Sequence, residues 1–190
     1  MERNRRRDKG FTLLELIIVV TIFCVMSAIA QPAFSRYRDD VHLKAIAWDI
    51  VGMVKDAKLL GVGEQSYAIC FDPEQQTVSL VSGRGGDGTW NTGDEPVVRS
   101  FRLAERGGLE FWKYPTKPAK KGLATPDDGI AAPNPSNNSF ICNDNLTGNG
   151  GTVYIKSPSG GAVAVKVNSE DFGCEAWKWK GGTWVTLLSQ

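Results

Sequence analysis

The chain has 190 residues, 42% of them apolar, and a formal net charge of +1. This length allows one domain with an appendage, and a net charge near zero gives no overall field that would attract nucleic acid or an acidic partner. The single histidine argues against a histidine metal cluster and a serine–histidine triad, and the four cysteines form no Cys-x-x-Cys pair that would indicate a zinc or thioredoxin-type site.

The N-terminal segment joins a basic cluster to a long apolar run. The run extends from Phe11 to Ala30, and about 20 apolar residues suffice for a helix that spans a bilayer. The basic cluster places the preceding end in the cytoplasm, so the rest of the chain is expected to be exported. A cleaved secretory signal, with a small-residue site at Ser27–Ala30, and a plain signal anchor are the alternatives. The cluster consists of Arg3, Arg5, Arg6, Arg7 and Lys9.

Glu15 interrupts the apolar run. A carboxylate inside a membrane span costs about 2.5–3.5 kcal/mol on insertion scales and is usually paired and functional. No basic residue follows it before Arg36, which is too far along a helix for pairing within one chain. We therefore expect its partner to come from another molecule.

The stretch "KGFTLLELIIVVTIFCVMSAIAQPAF" resembles the class III signal of type IV pilins and type II secretion pseudopilins. The resemblance implies cleavage between Gly10 and Phe11 by a prepilin peptidase, followed by N-methylation of Phe11. It also implies that Glu15 neutralises the new amino terminus of a neighbouring subunit as helices stack into a filament. Because the cut precedes the apolar run, the mature protein would keep its membrane helix.

The helical pattern continues beyond the apolar run. Pro32 is expected to kink the helix rather than end it, and Gly61 and Gly63 supply a C-terminal stop. The sequence thus predicts one helix of about fifty residues whose second half packs an apolar stripe against a sheet, with charged residues on the other faces. The predicted stripe consists of Phe34, Tyr37, Val41, Ala45, Trp48, Val51 and Val54.

After Gly63 the pattern changes to short strands separated by turns, which predicts an α+β head of antiparallel strands. Turns are predicted at Asp72–Glu74, Pro158–Gly161 and Gly181–Gly182. The predicted strands are Ser66–Phe71, Thr77–Val81, Val97–Leu103, Gly108–Trp112, Thr152–Lys156, Ala162–Val167, Trp177–Trp179 and Thr183–Leu187. The chain therefore divides into a leader (1–10), a transmembrane helix (11–31), an amphipathic helix (32–62) and a β-rich head (63–190).

Two segments of the head are predicted to be loops. The first, Gly83–Pro96, offers oxygen atoms that could bind calcium, but its spacing is not that of an EF-hand loop, so a solvated turn without metal is expected. The second, Pro115–Asn138, is long and proline-rich and is expected to be mobile or a variable interaction surface. The oxygen-bearing residues of the first loop are Asp87, Asn91, Asp94 and Glu95.

The cysteines fit an exported head, because disulfides persist outside the cytoplasm. Cys24 lies in the span and is expected to be a buried thiol, and Cys70 lies mid-strand and is expected in the core. Cys142 and Cys174 flank the Thr152–Val167 hairpin, so they are the predicted disulfide pair.

Beyond the N-terminal signal, the strand pattern is similar to that of GspH/FimT-type minor pilins and minor pseudopilins. The resemblance implies a pilin-like fold and a non-catalytic minor subunit of a type II secretion pseudopilus or type IV pilus, located in the bacterial inner membrane with a periplasmic head. Implied partners are other pilin or pseudopilin subunits, prepilin peptidase, the inner-membrane assembly platform and secreted cargo. No cofactor is expected. Glu15 and Pro32 are the residues expected to serve assembly.

Two alternatives stay open. One is the major subunit of a pilus. The other is a minor pilin that binds DNA in natural transformation, because interleaved tryptophan and lysine side chains contact single strands by stacking and charge. The competing interpretation is a strand with its tryptophans turned inward and its lysines outward. The residues concerned are Trp177, Lys178, Trp179 and Lys180.

Overall fold

The computed structural model of the chain describes residues 11–62, 65–113, 129–131, 138–143 and 148–189. One helix, α1, runs from Leu13 to Leu60 over 48 residues, which confirms the predicted long helix. Pro32 lies inside it, and a kink there stays a prediction. The chain divides into two compact units, Met1–Tyr37 and Arg38–Gln190, whereas the predicted domain limits stay predictions.

Within the second unit, α1 buries one face against β-sheets. The buried positions recur at steps of three and four residues, which is typical of an amphipathic helix. At Gly61 the helix ends, and the Gly61 amide donates to the Ala57 carbonyl at 2.9 Å. The buried face consists of Asp39, Leu43, Ile46, Ala47, Ile50, Val51, Met53, Val54 and Ala57.

The predicted apolar stripe was therefore wrong in its position around the helix, since only Val51 and Val54 belong to the buried face. A second set of apolar residues on an adjoining face, including Leu43, Ile46 and Ile50, is the one that packs. The other five members of the predicted stripe are exposed: Phe34, Tyr37, Val41, Ala45 and Trp48.

Asp39 corrects the expectation that charged residues avoid the packed face. Its side chain is only 3% exposed, and its Oδ2 accepts a hydrogen bond from the Ser159 amide at 3.2 Å. Ser159 lies in the turn of a strand hairpin. A buried carboxylate needs such donors, because an unpaired buried charge is strongly destabilising. Asp39 thus ties the helix to that turn.

Within the described residues, eleven strands follow the helix, in two antiparallel sheets. The first sheet has the strand order β3-β2-β1-β6-β7, and the second has the order β11-β10-β9-β8-β4, with β5 also paired to β8. In chain order the strands are β1 (Tyr67–Asp72), β2 (Thr77–Ser82), β3 (Val97–Arg102), β4 (Glu110–Phe111), β5 (Ile130–Ala131), β6 (Ser139–Cys142), β7 (Gly148–Asn149), β8 (Gly151–Lys156), β9 (Ala162–Val167), β10 (Cys174–Lys180) and β11 (Thr183–Ser189).

All eight predicted strands are present, seven of them with shifted ends, so the α+β, pilin-like architecture is confirmed. The three predicted hairpins are also present, since β1–β2, β8–β9 and β10–β11 are antiparallel pairs. Three strands were missed: β5, β6 and β7. Most of the predicted loop Pro115–Asn138 lies outside the described residues.

One apolar core joins α1 to both sheets. It includes Ile50 and Met53 of the helix, Phe71 and Phe140 of the first sheet, and Val165 of the second. The ring of Phe71 meets that of Phe140 edge-on, with centroids 4.7 Å apart, an arrangement that adds stabilisation beyond area burial. This core fixes which sheet faces are turned toward the helix and which are turned away.

Candidate functional site

The start of α1 is organised by Thr12 and Glu15. The Thr12 amide and hydroxyl both donate to Glu15 Oε2, at 2.9 and 3.0 Å, and the Glu15 amide donates to Thr12 Oγ1 at 3.2 Å. This reciprocal arrangement is a capping box, which satisfies amide groups that lack partners in the first turn of a helix. Thr12 is therefore the N-cap, and the helix begins at the next residue, Leu13.

Sequence reasoning missed this local role of Glu15. The signal was present, because Thr-Leu-Leu-Glu fits the capping-box pattern of Ser or Thr followed three residues later by Glu or Gln. The local donors are neutral, however, so they leave the charge of the carboxylate uncompensated. Capping and charge pairing with another molecule are compatible uses of the same side chain.

The described part of the chain does not cover the apolar N-terminal part of α1. Leu14 and Ile22 are 67% and 53% exposed, the preceding Phe11 is 77% exposed, and Cys24 is exposed too; burial of that thiol in a membrane stays a prediction. The helix is long and apolar enough to cross a membrane by length and composition. A bare apolar surface of this extent is stable only against lipid or other apolar helices, so the segment fits membrane anchoring.

A family model described as the prokaryotic N-terminal methylation motif matches residues 5–31. The chain carries a prepilin-type N-terminal motif. This match supports the type IV pilin and pseudopilin superfamily, processing by prepilin peptidase and assembly with other pilin subunits. No curated protein and no solved structure matches the chain, so the GspH/FimT-type assignment rests on resemblance alone. Gly10, the residue before the expected cut, lies outside the described residues.

The structure holds all four cysteines as free thiols, and the predicted Cys142–Cys174 disulfide stays a prediction. The strand β10 with Cys174 pairs with β9 of the hairpin, whereas β6 with Cys142 pairs with β1 in the other sheet. Burial raises the pKa of both thiols, which disfavours the reactive thiolate. Cys70 is buried as expected.

Tryptophan and lysine alternate along β10 as predicted, but each residue type lies on the opposite face of the sheet from the one expected. Trp177 packs with Tyr154 and Ala164 in a small cluster separate from the main core, while Lys178 forms an ion pair with Asp40 on α1. The competing interpretation, with tryptophans inward, was therefore wrong. The tryptophans lie on the face turned away from the helix, and the lysines on the other.

An aromatic cluster covers that outer face of the second sheet. The ring of Trp179 lies 5.8 Å from that of Trp112 and 5.2 Å from that of Trp184, between centroids. Trp177 is only 7% exposed. The four residues proposed for nucleic-acid contact thus divide between two faces of β10, and they do not form one continuous surface.

Lys178 and Asp40 give a pH-dependent contribution to stability. Partial burial alone would raise the pKa of Asp40, but hydrogen bonds and charge from Lys178 and Lys44 outweigh it and lower the pKa. We expect Lys178→Met to lower the free energy of unfolding at pH 7 by up to about 1 kcal/mol. The difference should disappear as the pH falls through the pKa of folded Asp40, because only the ionised carboxylate gains from the pair.

Denaturant titrations of the full-length chain in detergent micelles at several pH values measure this difference. Lys180→Met is the matched control, because Lys180 lies exposed on the same strand and no ion pair is recorded for it among the described residues. A deficit for Lys178→Met that persists at low pH would show that the lysine acts through packing of its alkyl chain.

The Gly83–Pro96 loop uses its oxygen atoms internally. Asp94 Oδ2 accepts from the Gly86 amide at 2.7 Å, and Asp87 Oδ1 accepts from the Thr89 amide at 2.8 Å. Asn91 donates its side-chain amide to the Phe71 carbonyl at 3.1 Å. Among the residues that the structure describes, no group of three or more candidate ligands could hold a metal ion. Most residues of the loop are exposed, while Trp90 and Glu95 are buried.

Proposed function

We propose that the protein is a non-catalytic minor pilin or pseudopilin of GspH/FimT type. It would serve a type II secretion pseudopilus or a type IV pilus, anchored in the bacterial inner membrane with its head in the periplasm. The observation that carries this proposal is the match of residues 5–31 to the N-terminal methylation motif, together with a helix whose N-terminal apolar residues, such as Leu14 and Ile22, are left exposed by the described part of the chain. Partners would be other pilin-type subunits, prepilin peptidase and the assembly platform.

Maturation would cut the chain between Gly10 and Phe11 and methylate the Phe11 amine. The helix geometry supports this cut, because the capping box begins at Thr12 and survives removal of the leader. The charged amine of Phe11 would then lie one residue from the N-cap. In a filament, Glu15 of one subunit would pair with the Phe11 amine of its neighbour, so that two costly charges offset each other in a low-dielectric surrounding.

Pairing of this kind would also set the stagger between subunits. A helix shifted along its neighbour would leave both charges unpaired in an apolar surrounding, which is strongly unfavourable. The contact is heterologous, since each subunit offers its amine to one neighbour and its carboxylate to another. Heterologous contacts generate open helical filaments, and this agrees with a pilus or pseudopilus.

Mass spectrometry of the membrane-extracted chain tests the proposal, with and without co-expressed prepilin peptidase. We expect the enzyme to remove residues 1–10 and the new Phe11 amine to carry one methyl group. The motif predicts both events at one place, because the cut before Phe11 produces the amine that is then methylated. An intact leader, or a cut near Ala30, would contradict the pilin assignment and favour a signal anchor or secretory signal.

The major-pilin and DNA-binding alternatives predict different properties of the protein. A major pilin would dominate the protein content of sheared filaments. A DNA-binding minor pilin needs clustered cations on one exposed surface, and Lys178 is engaged by Asp40. We therefore favour the assembly role. A salt-dependent gel shift with the full-length chain in detergent would support the DNA-binding alternative.

A further inference from the structure

An open cavity of about 290 Å³ lies on the face of the first sheet turned away from the helix. Its floor is formed by side chains of β1 and β2, which alternate with the core-facing row. Its wall is the end of the Gly83–Pro96 loop. The side chains that line the cavity include Cys70, Asp72, Thr77, Ser79, Asn91 and Glu95.

The wall of this cavity is held in place by its own contacts. Trp90 is 4% exposed and packs with Ala68, Cys70 and Val81 of the sheet. The side chain of Asn91 donates to the Phe71 carbonyl, as described above. A binding site is usually largely formed before its ligand arrives, and these contacts provide such a preformed wall.

Glu95 gives the cavity a buried negative charge. The residue is only 6% exposed, and its two carboxylate oxygens accept from the Thr92 amide at 3.1 Å and the Gly93 amide at 3.0 Å. No basic side chain in the described part of the chain forms an ion pair with it. A carboxylate has about four lone-pair sites, so Glu95 retains capacity to accept further hydrogen bonds.

The charge of Glu95 acts on the cavity floor. Burial and this charge raise the pKa of the Cys70 thiol to about 12. Buried charges in proteins are normally paired, and within the described residues the donors to Glu95 are these two backbone amides. A cation bound in the cavity would supply the missing opposite charge.

The rest of the lining favours the same kind of ligand. Asp72 adds a second carboxylate, and its Oδ1 accepts from the Glu74 and Gln75 amides, both at 2.9 Å. Thr77 and Ser79 add hydroxyl groups, and among the residues that the structure describes no lysine, arginine or histidine lines the cavity. Arg102 is the cross-strand neighbour of Thr77, and its guanidinium is paired with the carboxylate of Glu105 at 4.0 Å.

The floor is polar beyond the cavity as well. Cys70 lies between Ser79 and Ser139 across the three strands β2, β1 and β6. The Ser139 hydroxyl is buried and has no hydrogen-bond partner in the described part of the chain. Such a group usually marks a place for water or a ligand. The row formed by Ser79, Cys70 and Ser139 therefore suits a ligand rich in hydrogen-bond donors rather than an apolar ligand.

We propose that this cavity binds an alkylguanidinium group, either as a free small molecule or as the arginine side chain of a neighbouring protein. A guanidinium carries a permanent positive charge and five donors in a planar fork, which suits carboxylates and hydroxyls converging from several directions. The inference concerns the head alone and does not depend on filament assembly.

Isothermal titration of the full-length chain in detergent micelles with agmatine tests the site. We expect saturable binding, and no binding of N-butylurea, a neutral compound of similar shape. A capped Gly-Arg-Gly peptide separates the two sources of the ligand, because tighter binding of the peptide than of agmatine indicates a protein side chain. Tighter binding of agmatine indicates a free small molecule.

Two substitutions connect the binding to the cavity. Val97 lines it and is 61% exposed, whereas its neighbour Val98 is 49% exposed and does not line it. Val97→Lys places a competing cation at the rim and should weaken agmatine binding about tenfold or more, while Val98→Lys should leave it within about twofold. Glu95→Gln removes the charge but keeps a similar shape, and it should weaken binding as well.

Three results would overturn the proposal: no saturable agmatine binding, equal binding of N-butylurea, or equal effects of Val97→Lys and Val98→Lys. Circular dichroism of each variant identifies misfolding. Val97→Lys and Val98→Lys both change exposed side chains, so the comparison between them stays valid if Glu95→Gln disturbs the loop.

Discussion

Glu15→Gln is expected to reduce incorporation of the chain into filaments by about tenfold or more, since a charge pair within a membrane carries several kcal/mol and 1.4 kcal/mol corresponds to a factor of about ten. Glutamine also fits the N3 position of a capping box, so the local hydrogen bonds with Thr12 can be retained. The substitution therefore removes the charge and spares the cap. Immunoblots of sheared filaments, with the subunit level in membranes as reference, measure the loss.

Thr12→Val is the matched control, because it removes the capping hydroxyl and leaves the charge of Glu15. Loss of an N-cap costs about 0.5–2 kcal/mol of helix stability, and a long helix in a membrane tolerates fraying of its first turn. We expect Thr12→Val to assemble nearly as well as the unmodified chain. Normal assembly of Glu15→Gln together with failure of Thr12→Val would reverse the roles and make Glu15 a helix cap only.

The long helix and the eight principal strands could be predicted from sequence because their signals are local. Strands β8 and β9 are nearly continuous runs of buried residues, and a Pro-Ser-Gly-Gly turn lies between them. The strands that were missed are short, and two of them, β5 and β7, contain only two residues each. Such strands have almost no periodicity of their own, and they exist because longer neighbours offer them partners.

For α1 and for β10, the face that turns toward the core could not be predicted from the sequence. On β10, alternation fixes that tryptophan and lysine occupy opposite faces, but only the position of α1 decides that Lys178 meets Asp40. Hydrophobicity favoured the tryptophans as the inward set. The aromatic cluster on the outer face of the second sheet, with Trp112 and Trp184, offers them an alternative apolar surrounding that a single strand does not indicate.

The functional features also divide into one with a local sequence signal and one without. The N-terminal motif is a contiguous pattern, so the sequence indicated the pilin-type interpretation and the family model supports it. The cavity beside Glu95 depends on a loop folding back over β1 and β2, and its lining residues are up to 27 positions apart in the chain, from Cys70 to Val97. The loop was considered only for calcium, and no local pattern would have indicated a buried carboxylate without a cation.

Ile50→Ala is expected to lower the free energy of unfolding by about 2–5 kcal/mol, because removing a buried aliphatic side chain loses its transfer energy and leaves a cavity. Ile50 is 0% exposed and belongs to the core that joins α1 to both sheets. Denaturant unfolding of the full-length chain in detergent micelles, followed by near-ultraviolet circular dichroism, measures the change in the head without requiring the membrane helix to unfold.

Trp48→Ala, two residues away on the same helix, decides which face of α1 carries the packing. Trp48 is 55% exposed, and substitutions at the surface usually change stability by about 0.5 kcal/mol or less, so we expect a much smaller effect than at Ile50 although tryptophan is the larger side chain. Alanine is also the better helix former, which offsets part of any lost contact. A loss at Trp48 that equals the loss at Ile50 would mean that the stripe predicted from sequence is the packed one. The expected difference leaves Trp48 available to whatever covers this face of the helix outside the chain.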